Sequence, residues 1–153
     1  MKKKVLFVCL GNICRSPLAE ALFMKHVKER GLADKYMADS CGTESYHIGE
    51  QPDARSRANA RENGLEYSHA ARHLREEDYK EFDLIIPMDS SNQQFIEQHN
   101  SDKDAAVRLM RNYDTGYEGH DVPDPYYSGE EGFQNVFEIL DRSTGALLDQ
   151  LEE

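Results

Sequence analysis

An α/β fold with a parallel sheet covered by helices on both faces is what this sequence predicts, on three observations. Apolar runs of strand length alternate with amphipathic runs of helix length. The first apolar run, Val5 to Val8, is continuous rather than alternating, the pattern of a strand buried on both faces. No repeat, low-complexity block or Pro/Gly/Ser-rich linker divides the chain, so residues 1–153 are expected to form a single domain around a four-stranded sheet.

After Val8 a polar turn leads to Ser16-Pro17, where Ser can cap a helix and Pro can occupy its first position. Leu18, Ala21, Leu22 and Val27 then recur at helical spacing until Gly31. A short strand is expected over Met37 to Cys41, and a polar helix from about Asp53 to Asn63 with Gly64 as its stop. Asp83 to Met88 reads as a third buried strand, Ser90 or Ser91 opens another helix, and Val107 to Met110 fits a fourth strand. Phe133, Val136, Phe137, Leu140, Leu147, Leu148 and Leu151 define a long terminal amphipathic helix. In such sheets ligands bind beyond the carboxyl ends of the strands, and the loop after Val8 lies there.

Composition narrows the function. A net charge of −11 and a pI near 5.0 oppose general affinity for nucleic acid or for an anionic membrane. An anionic substrate must therefore be captured by locally aimed donors. Three cysteines make no disulfide framework. Lys2-Lys3-Lys4 before an apolar run resembles the start of a secretory signal, but the run is too short and meets Gly11-Asn12 and Arg15 instead of a cleavage site. No stretch approaches the ~20 apolar residues of a membrane span. The expectation is a reduced, cytoplasmic protein, with monomer as the default state.

The loop Cys9-Leu10-Gly11-Asn12-Ile13-Cys14-Arg15-Ser16 has the chemistry of a phosphate site. Inward-pointing backbone N–H groups and the start of the next helix can nest an anion. Gly11 and Asn12 tolerate the dihedrals such a loop needs, and Arg15 offers a bidentate fork. A thiol in that field loses its proton readily, which makes Cys9 a nucleophile aimed at phosphorus, with Ser16 placed to donate to its sulfur. Cys-x5-Arg by itself also occurs by chance, and a cysteine after a strand is often only packing. Cys9-x4-Cys14 with His69-x3-His73 falls short of a regular zinc-ligand spacing, so no metal is expected. A second element, Asp121-Val122-Pro123-Asp124-Pro125-Tyr126-Tyr127, sets an acid beside two tyrosines in a loop stiffened by prolines.

Positions 5–17 together with Asp124-Pro125-Tyr126-Tyr127 closely resemble the low-molecular-weight protein tyrosine phosphatases. The resemblance extends to Asp39-Ser40, Tyr46 to Gly49, Ser68 to Arg72 and Met88 to Asn92, nearly the whole chain. It implies a Rossmann-like or flavodoxin-like fold and hydrolysis of phosphotyrosine, or of small aryl phosphates, through a phosphocysteine intermediate without metal or cofactor. Carried over by position, Cys9 is the nucleophile, Arg15 the phosphate clamp and Asp124 the general acid and base. Leu10, Gly11, Asn12, Ile13, Cys14 and Ser16 complete the phosphate loop. Ser40 and His69 support it, and Tyr46, Tyr126 and Tyr127 form the aromatic rim for the substrate ring. Cys14 is implied as a redox guard that forms a reversible disulfide with Cys9. The implied partners are phosphotyrosine proteins, a tyrosine kinase among the candidates, with phosphate, sulfate or vanadate as small ligands.

Three rivals are weighed against this. Thiol-dependent arsenate reductases of the same fold need two further downstream cysteines, and none follows Cys41. Protein-arginine phosphatases of the same superfamily typically carry Thr where Ile13 stands and lack the paired tyrosines. A silent phosphotyrosine-binding module would lack Cys9 or Asp124, and both are present.

Overall fold

The computed structural model describes residues 1–100 and 105–153. Its strands are β1 (Lys3–Cys9), β2 (Tyr36–Gly42), β3 (Leu84–Pro87) and β4 (Ala106–Val107). They form one parallel sheet in the order β2-β1-β3-β4, with Val5 opposite Ala38 on one side and Leu84 on the other. The helices are α1 (Ser16–Glu29), α2 (Ala54–Glu62), α3 (Asp78–Glu81), α4 (Ser90–His99) and α5 (Glu130–Leu151), with a 3₁₀ turn over Met110–Tyr113.

The continuous apolar run of β1 is explained by its central place. Val5, Phe7 and Cys9 face a core that includes Leu22 and Phe23 of α1 and Leu140 and Leu147 of α5. Leu6 and Val8 face the opposite core, with Phe82, Ile85 and Ile96. Val5, Leu6, Phe7 and Val8 are wholly buried, and each such side chain contributes about 1.5–3 kcal/mol. From β1 the chain turns to β2 and later crosses back to β3. The carboxyl end of β1 is thus the point where strand order reverses, the usual crevice for a ligand.

Two expected boundaries are corrected. Val107 to Met110 is not a strand; pairing stops at Val107, and Met110 opens the 3₁₀ turn. The Arg108 N–H donates to the Ile85 carbonyl at 3.1 Å. In a parallel ladder the next rung would need an N–H from Pro87, which has none. At α1 the N-cap is Arg15, without a side-chain capping bond, and Ser16 is already helical. The Ser16 hydroxyl is committed elsewhere. The polar helix falls where the sequence put it: Asp53 caps α2 by accepting from the Arg55 N–H, and Gly64, at φ +85°, follows its C-cap Asn63.

Candidate active site

The loop from Cys9 to Arg15 joins β1 to α1 and is sealed from below. Cys9 is 2% exposed and Asn12 1%. Ser16 Oγ lies 3.1 Å from Cys9 Sγ, and the Asn12 N–H donates to the same sulfur at 3.3 Å. A hydroxyl has one proton to give. Asn12 Nδ2 donates to Ser16 Oγ at 2.8 Å, which leaves that proton free for the sulfur or for the Cys41 carbonyl at 3.3 Å.

Asn12 holds the loop. It has φ +60°, the only left-handed residue other than glycine among those described, a conformation that costs asparagine less than most. Its amide is fully used. Nδ2 also donates to Ser40 Oγ at 3.1 Å, while Oδ1 accepts from the Arg72 N–H at 3.1 Å and pairs with His69 Nε2 at 2.8 Å. Ser40 passes its own proton to Glu20 Oε1 at 2.8 Å, and Glu20 lies 3.4 Å from His69 Nδ1. Burial, joined by Asp39, raises the Glu20 carboxyl to about 7, and burial lowers His69. Both directions favour the uncharged forms, as burial of the two groups dictates.

Arg15 is the charged counterpart of Cys9. Its Nη1 donates to Asp89 Oδ2 at 2.7 Å and to the Val122 carbonyl at 3.0 Å, while Nη2 lies 3.7 Å from Asp124 Oδ2. Burial opposes its charge, yet Cys9, Asp89 and Asp124 prevail and raise its pKa above the ordinary value. Asp124 is half exposed and accepts from the Tyr126 N–H at 3.1 Å. Cys14 packs with Ile13, Ala71 and Phe133. Burial, then Asp53, Cys9 and Asp124, push its thiol far up, and all three cysteines are free.

The structure gathers Cys9, Asn12, Arg15, Ser16, Ser40, His69 and Asp124 into one cluster. Around the mouth, Leu10 is exposed, Ile13 buried and Tyr46 well exposed. Tyr127 is almost wholly exposed and meets Tyr126 edge-on at 5.0 Å. His47 stands between Tyr46 and Tyr126, with ring centroids 6.5 and 6.3 Å away, and covers Gly11. A groove of about 380 Å³ runs past Ile13, His47, Asp53 and Tyr126.

Sequence reasoning assigned no role to Asp89, Glu20 or Arg72. Asp89 caps α4 with Oδ1, accepting from the Asn92 N–H at 2.8 Å, and uses Oδ2 for Arg15; an acid just before Ser90-Ser91-Asn92 was the available signal. Glu20 lies one helical turn beyond Ser16, hence on the same face of α1. Arg72 reaches Asp39 and the fully buried Asp78, a link across distant segments that no local pattern announces. Glu20, Asp39 and His69 could bring three ligand atoms within 4.8 Å, yet each already has a protein partner: Ser40, Arg72 and Asn12 respectively. His73 is spent on the Leu74 and Thr43 carbonyls, so it does not join Cys9 and Cys14.

Residues 4–153 match the family model for low molecular weight phosphotyrosine protein phosphatase. A protein of that name from Schizosaccharomyces pombe is 42% identical, over 94% of both chains. A protein tyrosine phosphatase from Entamoeba histolytica, solved with Hepes in its active site, superposes with a TM-score of 0.94 at 39% identity, covering 99% of this chain and 97% of that one. The Drosophila arginine phosphatase also superposes, with a TM-score of 0.90 at 31% identity, covering 100% of this chain and 99% of that one. The chain belongs to the low-molecular-weight phosphotyrosine protein phosphatase family.

Proposed function

We propose that the chain hydrolyses phosphotyrosine in proteins, and small aryl phosphates, through a phosphocysteine intermediate. The observation that carries the reading is a cysteine sulfur at the floor of an anion nest, met by Ser16 Oγ and the Asn12 N–H, with Arg15 and Asp124 above it.

In the first step the Cys9 sulfur attacks phosphorus and the ester P–O bond breaks. Asp124 gives its proton to the departing phenolate oxygen. Arg15 and the loop N–H groups hold the equatorial oxygens as charge spreads over them. In the second step water attacks the phosphocysteine, Asp124 takes the water's proton, the S–P bond breaks and inorganic phosphate leaves. Ser16 and the Asn12 N–H stabilise the sulfur as leaving group, and Ser40 and His69 keep Asn12 in place. Asp124 is suited to both steps because it is half exposed and can reach ester oxygen and water alike.

Ile13 and the pair Tyr126-Tyr127 support tyrosine over arginine as the substrate side chain, since an aromatic ring gains from apolar and edge contacts that a guanidinium does not need. Phosphate, sulfate and vanadate fit the same nest, and Cys14 is suited to guard Cys9 by a reversible disulfide. No helix among the described residues is long and apolar enough to cross a membrane; the partners we propose are cytoplasmic phosphoproteins, met by a monomer. The test is metal-free hydrolysis of p-nitrophenyl phosphate and of phosphotyrosine and phosphoarginine peptides, with vanadate as inhibitor. Vanadate-sensitive turnover selective for phosphotyrosine and lost in Cys9→Ser is expected; preference for phosphoarginine, or activity surviving Cys9→Ser, would overturn the reading.

A further inference from the structure

The segment that carries Asp124 makes its hydrogen bonds to other elements at its start, while past Asp124 it is held by apolar and cation–π packing of Tyr126 on Ile13, Phe133 and Arg55. The Val122 N–H donates to the Met88 carbonyl at 2.8 Å, and the Val122 carbonyl accepts from Arg15. Asp121 Oδ1 accepts from the Ser90 N–H at 2.9 Å. The Asp121 carbonyl accepts from Arg111 Nη1 at 3.2 Å. Beyond Val122, the Tyr126 N–H and the 3.7 Å approach of Arg15 are the polar contacts the Asp124 carboxylate makes among the described residues. Asp124 follows Pro123 and precedes Pro125, which restricts the backbone on both sides.

Arg111 is unlike the other three grips because its far end is tied to α5. It is buried, lies 4.3 Å over the Tyr117 ring, and binds Asp114 Oδ2 through Nε at 3.0 Å. Asp114, 3% exposed, is held in turn by Arg142 of α5 at 2.8 and 3.1 Å. Joining the 3₁₀ turn to α5 would need only Arg142 and Asp114. The additional reach of Arg111 to a backbone carbonyl three residues before Asp124 serves the acid-bearing segment. We infer that Arg111 is a positioning residue for general acid catalysis, fixing Asp124 against the phosphate loop by bracing Asp121 from α5. This rests on the proposed role of Asp124.

The experiment measures kcat/KM, which contains the steps up to P–O cleavage, on phenyl phosphate and on 2,4-dinitrophenyl phosphate. The first has a basic leaving group that needs a proton; the second does not. Arg111→Met, which removes both bonds, and Arg111→Lys, which keeps a cation for Asp114 but cannot bridge to Asp121 as a fork does, are compared with Asp124→Ala, with folding checked by circular dichroism. A loss of about tenfold on phenyl phosphate is expected for Arg111→Met, with little on the dinitrophenyl ester and a smaller selective loss for Arg111→Lys. No loss, or an equal loss on both esters, in Arg111→Met overturns the inference; if that variant does not fold, the same outcomes in Arg111→Lys do so. Asp124→Ala separates the two readings. An equal loss on both esters there removes the acid role itself and the inference with it, whereas a selective loss there beside unselective Arg111 variants removes only the inference.

Discussion

Cys9 and Asp124, the nucleophile and the acid of the proposed reaction, sit in opposite structural circumstances. The sulfur is 2% exposed, and the loop around it is held through Asn12, Ser16, Ser40, His69 and Arg72. The carboxylate side chain is 45% exposed on a segment hydrogen-bonded to other elements at Asp121 and Val122 and packed through Tyr126. The difference suits the role proposed for each. An anion nest works by fixed dipoles that need no rearrangement when charge develops, and fixed dipoles require a buried, fully bonded frame. An acid that then becomes a base must meet leaving group and water in turn, which a sealed site would prevent.

The comparison can be broken most severely at the sulfur. Cys9→Ser should abolish measurable turnover of p-nitrophenyl phosphate while the variant keeps the wild-type circular dichroism, because the hydroxyl is a far weaker nucleophile. Next, Asp124→Ala should lower turnover by about 10²–10⁴-fold for a leaving group as basic as phenolate, and less for an activated one, read from steady-state rates across aryl phosphates. A loss at Asp124 as complete as that at Cys9 would dissolve the distinction between an indispensable floor and an assisting rim.

Asn12→Ala tests whether the loop's frame matters beyond its backbone. It should cost about 1–3 kcal/mol in denaturant unfolding, since Ser16, Ser40 and His69 lose a partner and alanine is poorer at φ +60°. Turnover should fall about 10–100-fold. Unchanged stability would mean that the loop is held by other bonds.

The smallest effect concerns the anchor behind the acid. Burial works against ionised Asp114, but Arg142 and Arg111 outweigh it and hold its carboxyl below the ordinary 3.8. A lowered carboxyl contributes stability above its unfolded value and loses it as pH falls through its folded value. Denaturant midpoints should therefore drop below about pH 3.8, and Asp114→Asn should flatten that acid limb by at most about 1.4 kcal/mol per pH unit. An acid limb unchanged in Asp114→Asn would assign acid unfolding to other carboxylates.

Much of this was legible in the chain, because the signals were local. The β1 run, Asp53 and Gly64 around α2, the apolar stripe of α5 and the loop from Cys9 to Ser16 each depend on neighbours in sequence, where period and turn chemistry decide. The short α3 and the 3₁₀ turn carried too little periodicity to be read. Ser16 was legible both as a helix cap and as a partner of the sulfur, and tertiary structure chose the second by bringing Asn12 Nδ2 to its oxygen. Asp89, 74 residues from Arg15, and Arg111 of the 3₁₀ turn, whose carbonyl partner Asp121 lies 10 residues downstream of it, acquired their places only when strands and loops converged. The sequence by itself determined the Cys9-to-Ser16 loop motif, the Asp124-Pro125-Tyr126-Tyr127 motif and the alternation of strand and helix, since those rest on residue type and spacing. Tertiary structure alone decided how rigidly each is held, because hydrogen bonds between distant segments exist only after the sheet has brought their ends together.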